Sequence, residues 1–313
     1  MKKPLVSVIC TNFNKGEWIK EAIEGFLMQI TEFNFEIILI DDKSTDNSID
    51  ILRDYARKYP KKIRLFENKQ NMGITKTWKK ICQEAKGKYI ARCDGDDFWI
   101  DKYKLQKQVD LLEKDDDSKW CNSDFKTINE KGDTICEKSF ASGFINLPKD
   151  FDEMLTTLGF TMASTWLVEA DLMRDINKTL PDDAIDDTFN IQLELFLRTK
   201  LTHLQDITTV YRINQNSDSH PEDYSKIEQR YKKLLNTQLS YSDKISKSNR
   251  LSVINSLLEK DCQMYTTNHI LADENKKLHS SISSLEIKLA EYEDSIFIKL
   301  RNKIIGIKNK LKR

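Results

Sequence analysis

The chain has 313 residues with 50 basic and 50 acidic side chains, so its formal net charge is zero and no global field points to nucleic acid. Hydrophobic residues make up 39% and charged residues 32%, which fits a globular core accompanied by exposed helix. Six isolated cysteines (Cys10, Cys82, Cys93, Cys121, Cys136, Cys262) form no CxxC pair, which argues against zinc. Polar residues soon after the first apolar stretch (Asn12, Asn14, Lys15, Glu17), and the lack of any run of 18 apolar residues, predict a cytoplasmic protein without a signal segment or membrane span.

In chain order, residues 5–10 read as a buried strand and residues 15–30 as an amphipathic helix with Trp18, Ile19, Ala22, Ile23 and Phe26 on one face. Residues 35–40 read as a second buried strand. Asp46 follows as an N-cap for a helix reaching about residue 59. A third strand at 63–66, a helix at 74–86 and a fourth strand at 89–93 complete an alternating pattern. Such alternation predicts an α/β fold, a mostly parallel sheet with helices on both faces. Ligands of these sheets bind beyond the carboxyl ends of the strands, which singles out the loops starting at Thr11, Asp41, Glu67 and Asp94.

Past residue 102 the pattern changes. Helices are expected at 102–114, 150–158 and 186–199, with short mixed segments to about residue 144 and a strand at 204–212. From residue 224 onward the chain reads as almost wholly helical, with no proline and only Gly306.

Two acidic groups follow buried strands directly: Asp41–Asp42, and Asp94, Asp96 and Asp97 around Gly95. Three carboxylates in four residues repel one another unless a cation neutralises them, and hard oxygen ligands select Mg²⁺ or Mn²⁺. A solvated acidic turn is the bland alternative. The position after the fourth strand of an α/β pattern favours the cation.

These residues sit in longer motifs. Residues 6–14 read VSVICTNFN, residues 38–48 read ILIDDKSTDNS, Asn71–Gly73 form an N-x-G turn, and residues 85–97 read AKGKYIARCDGDD. In this order and at these separations they resemble the family 2 inverting glycosyltransferases, whose fold is GT-A, a Rossmann-like sheet fused to a smaller acceptor-binding part. The resemblance covers residues 5–100. It implies that Thr11, Phe13 and Asn14 line the nucleotide pocket and that Asp42 accepts a hydrogen bond from a uracil or thymine imide. It adds Asn71, Gly73 and Asp94 to the nucleotide-sugar site, and it gives Asp96 and Asp97 the ribose and the Mn²⁺ or Mg²⁺ bridging the diphosphate. Lys43 departs from the family by replacing the glycine after the paired aspartates. Lys79 or a neighbour replaces an asparagine after the N-x-G turn.

Inverting transfer needs a base to deprotonate the acceptor hydroxyl. The family takes it from an acidic pair opening a helix, and Asp186–Asp187 fits, with Asp187 at the base position and Asp186 as the alternative. Asp182–Asp183 is a competing pair, and a helix-dipole role is the bland reading. Residues 211–217 (YRINQNS) resemble a Y-R-x-H-x-x-S segment, with Asn214 in place of histidine and His220 close by. Arg212 there is a candidate for the diphosphate or for a structural ion pair. Trp99 and Trp166 are expected near the acceptor, against the bland reading of core packing. His203, His269 and His279 are expected at the surface.

The resulting organisation is a glycosyltransferase domain over 1–220, with a nucleotide-sugar half at 1–100 and an acceptor half at 101–220, and a helical extension over 221–313. Within the extension Leu271, Leu278, Leu285 and Tyr292 interleave with Asn275, Ile282, Leu289 and Ile296 as a heptad seam over 271–296. A homodimer through a coiled coil is expected, with a helix folded onto the enzyme as the alternative. Residues 295–313 carry seven bases, no acids and many isoleucines. That composition suits an anionic membrane surface, with peripheral attachment at the inner face of the cell membrane. The expected partners are therefore a UDP- or dTDP-sugar and a glycan or lipid-linked acceptor, as in cell-surface polysaccharide synthesis. Two rival classes are a non-catalytic scaffold on the same fold, which the intact acidic residues oppose, and a nucleotidyltransferase. The latter would want a glycine-rich basic first loop, where only Lys15 and Gly16 are present.

Overall fold

A computed structural model describes residues 3–182, 184, 187–214, 224–245 and 250–310. Strands and helices alternate as expected through the first part: β1 (Val6–Asn12), α1 (Ile19–Leu27), β2 (Phe35–Asp41), α2 (Ser48–Lys58), β3 (Ile63–Glu67), α3 (Ile74–Cys82) and β4 (Tyr89–Arg92). There follow β5 (Phe98–Trp99), α4 (Lys104–Leu112), β6 (Trp120–Ile128), β7 (Thr134–Cys136), α5 (Phe151–Thr157) and a 3-10 turn at Ala163–Thr165. Next come β8 (Leu167–Glu169), α6 (Ala170–Thr179), α7 (Asp187–Arg198) and β9 (Leu201–Arg212), then α8 (Tyr224–Ser240), a 3-10 turn at Ser242–Lys244 and α9 (Arg250–Lys310).

One sheet runs in the order β3-β2-β1-β4-β8-β6-β9-β5, with β7 on β6. The four strands from β3 to β4 are parallel. Beyond β4 the sheet is mixed: β8 is antiparallel to β4 and β6, β9 is parallel to β6, and β5 is antiparallel to β9. The period of two along β1 and β2 sorts their side chains to two cores. Val6, Val8, Cys10, Phe35, Ile37 and Leu39 face α1, α2 and α4, while Ile9, Ile38 and Ile40 face α3, α6 and α7. This two-sided burial is why both strands read as continuous apolar runs.

The sequence predicts no strand where β6 lies, and the reason is chemical. Its buried side chains include Asn122, Ser123, Asp124 and Thr127, so no apolar run announces it. Each is satisfied inside: Asn122 by Thr161 and His203, Ser123 by Thr208, Asp124 by the backbone amides of Phe140 and Ala141, Thr127 by Ser139. Buried polar groups with partners are stable where unpaired ones would not be. His203, expected at the surface, is therefore half-buried. Its Nδ1 lies 2.8 Å from Asn122 Oδ1, and burial lowers its pKa.

Contacts divide the chain into one compact unit at Met1–Val253 and a second at Ile254–Arg313. In the first, α8 and the turn after it add Leu234, Tyr241 and Ile245 to a small core of Phe151, Met154, Leu155, Phe189 and Leu193. The second unit is helical through Lys310, and Leu271, Leu278, Ile282, Leu285, Leu289 and Tyr292 stand exposed along it. The side chains of Ile296 and of most of the basic stretch lie outside what is described. No described helix is long and apolar enough to cross a membrane.

Candidate active site

β2 and β3 lie to one side of β1, and β4 lies to the other. The strand order reverses between β1 and β4, and the usual ligand site of such sheets lies beyond the carboxyl ends of the strands at that point. The loop after β1 supplies Thr11, Asn12, Phe13, Asn14 and Lys15, and the turn after β4 supplies Asp94, Gly95, Asp96 and Asp97. Gly95 is needed for close approach: a Cβ there would lie 3.0 Å from Ile19 Cδ1 and 3.3 Å from Asn12 Oδ1.

The acidic loop after β2 is fastened to the loop after β1. Asn12 Nδ2 donates to Asp41 Oδ1 at 2.8 Å and to Ser48 Oγ at 2.9 Å. Thr45 N donates to Asn14 Oδ1 at 2.7 Å, and Gly16 N to Asp46 Oδ2 at 2.8 Å. Lys43 adopts φ 64°, the left-handed conformation its usual glycine would take at no steric cost. A non-glycine residue held there carries strain. Phe13 is 42% exposed at the rim.

Asp42 is buried and organises the next loop. Its Oδ1 accepts Asn68 Nδ2 at 2.7 Å and Met72 N at 2.9 Å, and its Oδ2 accepts Gly73 N at 2.9 Å. Asn71 Oδ1 accepts the same Gly73 amide. Gly73, at φ 81°, caps α3. A carboxylate offers about four lone-pair sites. Three are filled here.

In the acidic cluster the three carboxylates differ. Asp94 and Asp96 keep part of their surface, whereas Asp97 is only 3% exposed. Asp97 Oδ2 accepts Ser164 Oγ at 2.6 Å, and its Oδ1 accepts Arg212 N at 3.1 Å. Burial, followed by the charges of Asp96 and Asp94, pushes its carboxyl well above the usual carboxylate range. The expected exposure of Asp97 is thereby corrected: it is the floor of the cluster, held by β9 and by the turn before β8. Asp96 Oδ2 meets Lys15 Nζ at 2.7 Å and Asn214 Nδ2 at 2.9 Å. Asp94 Oδ1 accepts Arg92 Nε at 3.2 Å.

The neighbouring thiols offer no soft ligand. Burial and the charges of Asp94, Asp96 and Asp97 push Cys10 well up, and burial with Asp97 does the same to Cys93. Among the described residues no three His, Cys, Asp or Glu side chains form a ready cage. The donor set at Asp94 and Asp96 is hard oxygen alone, with carboxylate charge concentrated on one turn. This fits a divalent cation such as Mn²⁺ or Mg²⁺ whose remaining ligands come from elsewhere.

Arg212 takes the structural alternative. Its guanidinium pairs with Glu21, its Nε donates to Asp96 O at 3.2 Å, and it lies over the Trp18 and Phe98 rings. The two candidate acceptor tryptophans are also corrected. Trp99 is 2% exposed, packs edge-on to Phe26 and donates Nε1 to Ser164 O. Trp166 is wholly buried beside Trp120 and donates to Thr161. Neither has surface to offer a ligand. Asp187 opens α7, as expected of the base candidate; its side chain, and Asp183, Asp186 and His220, lie outside the described residues. Sequence reasoning missed Lys15, Ser164 and Asn12. Of these only Lys15 carried a signal, as a lone base in the first loop.

Residues 7–176 match the model of Glycosyl transferase family 2. The chain belongs to that family. The putative glycosyltransferase EpsE of Bacillus subtilis is 41% identical over 111 residues, covering 36% of this chain and 39% of that protein. The chain spans 37% to 42% of the length of the first curated relatives it matches. Among solved structures, S. aureus TarS in complex with UDP-GlcNAc aligns with TM-score 0.54 at 17% identity, over 80% of this chain and 79% of that one. A mannosyltransferase from Pyrobaculum calidifontis, in complex with GDP-Man and Mn²⁺, aligns with TM-score 0.56 at 15% identity, over 79% and 66%. These structural likenesses establish a shared GT-A-type fold.

Proposed function

We propose that the chain is an inverting, divalent-metal-dependent glycosyltransferase that moves a sugar from a UDP- or dTDP-sugar to a hydroxyl acceptor. The observation that carries this reading is the convergence of the Thr11–Lys15 loop, the Asp42-organised turn and the Asp94–Asp96 carboxylates at the switch point between β1 and β4. Family membership and the UDP-GlcNAc and GDP-Man complexes of its structural neighbours support it.

In this reading the base lies against Thr11 and Phe13, and Asp42 accepts an imide N–H. Asp94 and Asp96 hold the cation, which when bound supplies positive charge beside the leaving diphosphate. Lys15 and Asn214 orient Asp96, and Asp97 fixes the turn from below. Asp187 takes the proton of the acceptor hydroxyl as that oxygen bonds to the anomeric carbon. The bond from that carbon to the diphosphate oxygen breaks, and its electron pair leaves with the diphosphate. Product configuration inverts because attack comes from the opposite face. The exposed heptad seam of α9 pairs two chains, and the basic stretch after residue 295 meets an anionic lipid surface, consistent with an acceptor for a cell-surface glycan.

The test is a panel of UDP-, dTDP- and GDP-sugars incubated with Mn²⁺ and scored for release of nucleoside diphosphate. Turnover of a uridine or thymidine donor supports the reading. Turnover of none, or of nucleoside triphosphates with pyrophosphate release, overturns it.

A further inference from the structure

Lys79 or a neighbour stands in place of an asparagine after the N-x-G turn, and Lys79 itself reaches across to a different element. Lys79 Nζ donates to the Leu180 carbonyl at 3.0 Å and to Asp182 Oδ1 at 2.6 Å. One turn earlier on the same face of α3, Thr75 Oγ1 donates to the Ala184 carbonyl at 3.0 Å. Three bonds thus tie one helix to the short connection between α6 and α7. A lone exposed lysine–carboxylate pair contributes little. Here the same ammonium also satisfies a carbonyl that α6 leaves open at its C-terminal end, and a second, neutral bond fixes the connection two residues further on.

The two ends of this arrangement belong to different halves of the site. Gly73 caps α3 and its amide is bound to Asp42, so the N-terminus of α3 is part of the nucleotide loop. The tethered connection leads directly into α7, which starts at Asp187. We propose that Lys79 and Thr75 are positioning residues: they clamp Leu180, Asp182 and Ala184 to α3 and so hold the first turn of α7 at a fixed distance from the donor-nucleotide loop. The inference rests on the donor and base assignments above. An asparagine in place of Lys79 would be too short to span both partners, Leu180 O and Asp182 Oδ1. It acts on transfer rather than on donor affinity, because neither residue faces Asp42 or the Asp94–Asp96 turn.

The test compares wild type with Lys79→Met, Lys79→Arg and Asp182→Asn. Amide hydrogen exchange is followed over residues 180–190 without donor, and kcat and the dissociation constant of UDP are measured with Mn²⁺. Lys79→Met should speed exchange in that segment at least several-fold and lower kcat about tenfold, with UDP affinity within twofold of wild type. Lys79→Arg should restore both readouts, and Asp182→Asn should give an intermediate loss. Unchanged exchange in Lys79→Met, or exchange that rises equally throughout the chain, overturns the clamp. A wild-type chain that transfers no sugar overturns the functional reading instead, and the exchange comparison then decides the clamp by itself.

Discussion

The hydroxyl of Ser164 donates to Asp97 Oδ2 at 2.6 Å while its oxygen accepts the Asp94 amide at 3.0 Å. One small side chain from the turn before β8 thereby sets both ends of the acidic cluster after β4. Ser164→Ala removes one of the two donors on a buried carboxylate. Leaving such a group short of a partner costs about 1–3 kcal/mol. Urea denaturation should show a loss of that size, and turnover should fall with it. An unchanged midpoint would mean that Asp97 does not depend on Ser164.

Asp187→Asn should keep UDP binding and lose transfer by roughly 10² or more, the usual effect of removing a general base. Titration calorimetry gives the first quantity and steady-state turnover the second. Asp182→Asn belongs to the clamp and should cost far less. A larger loss in Asp182→Asn or Asp183→Asn than in Asp187→Asn would move the base to the earlier pair.

Lys104 supplies a pH dependence away from the acidic turn. It is wholly buried, lies over the Trp99 ring at 4.4 Å, and donates to Gln108 and the Thr165 carbonyl. Burial lowers its ammonium to about 8, with Cys121, Cys93 and Asp101 as the ionisable groups around it. An unfolded lysine titrates near 10.4. Below pH 8 both states hold the proton and the folded state bears the full cost of the buried charge. Between about 8 and 10.4 the unfolded chain holds more protons, so this contribution makes the fold more stable as pH rises, by about 3 kcal/mol in all. Wild type should therefore gain stability relative to Lys104→Met across that window in urea melts. A difference that stays flat with pH would contradict the assignment.

The apolar row along α9 gives a separate expectation. Leu278 and Leu285 are 58% and 63% exposed within their own unit. Burying paired seam residues at about 25 cal/mol per Å² suffices for a short coil to self-associate. Sedimentation should give a dimer for wild type and a monomer for the Leu278→Asp, Leu285→Asp double variant, with sugar transfer to a soluble acceptor retained. A monomeric wild type at micromolar concentration would refute the pairing.

Much of the nucleotide half was legible because its signals are local. The apolar runs of β1, β2 and β4 and the polar turns after them lie contiguous in sequence. The Lys43 departure was visible as a missing glycine, but the left-handed backbone it adopts was not. The acceptor half resisted for two physical reasons. β6 hides its strand character behind buried polar side chains whose partners on β9 are some 80 residues away in sequence, as Asn122 and His203 show. The roles of Asp97, Trp99 and Trp166 depend on burial, which no spacing reveals: motif position pointed them toward ligand, and the packing of the turn before β8 against the cluster turned them inward. The departure at Lys79 or a neighbour was visible as a mismatch, but the partners of Lys79 at Leu180 and Asp182 were not.

In the proposed function a nucleotide diphosphate binds at the β1–β4 switch point with a divalent cation held by the carboxylates of Asp94 and Asp96. Calorimetric titration of UDP into wild type and Asp96→Asn, each with Mn²⁺ and with EDTA, tests it most directly. Wild type should bind UDP tightly with Mn²⁺ and at least tenfold more weakly in EDTA, and Asp96→Asn should show no Mn²⁺ effect. UDP affinity that is the same in all four titrations, or absent from all, would contradict it.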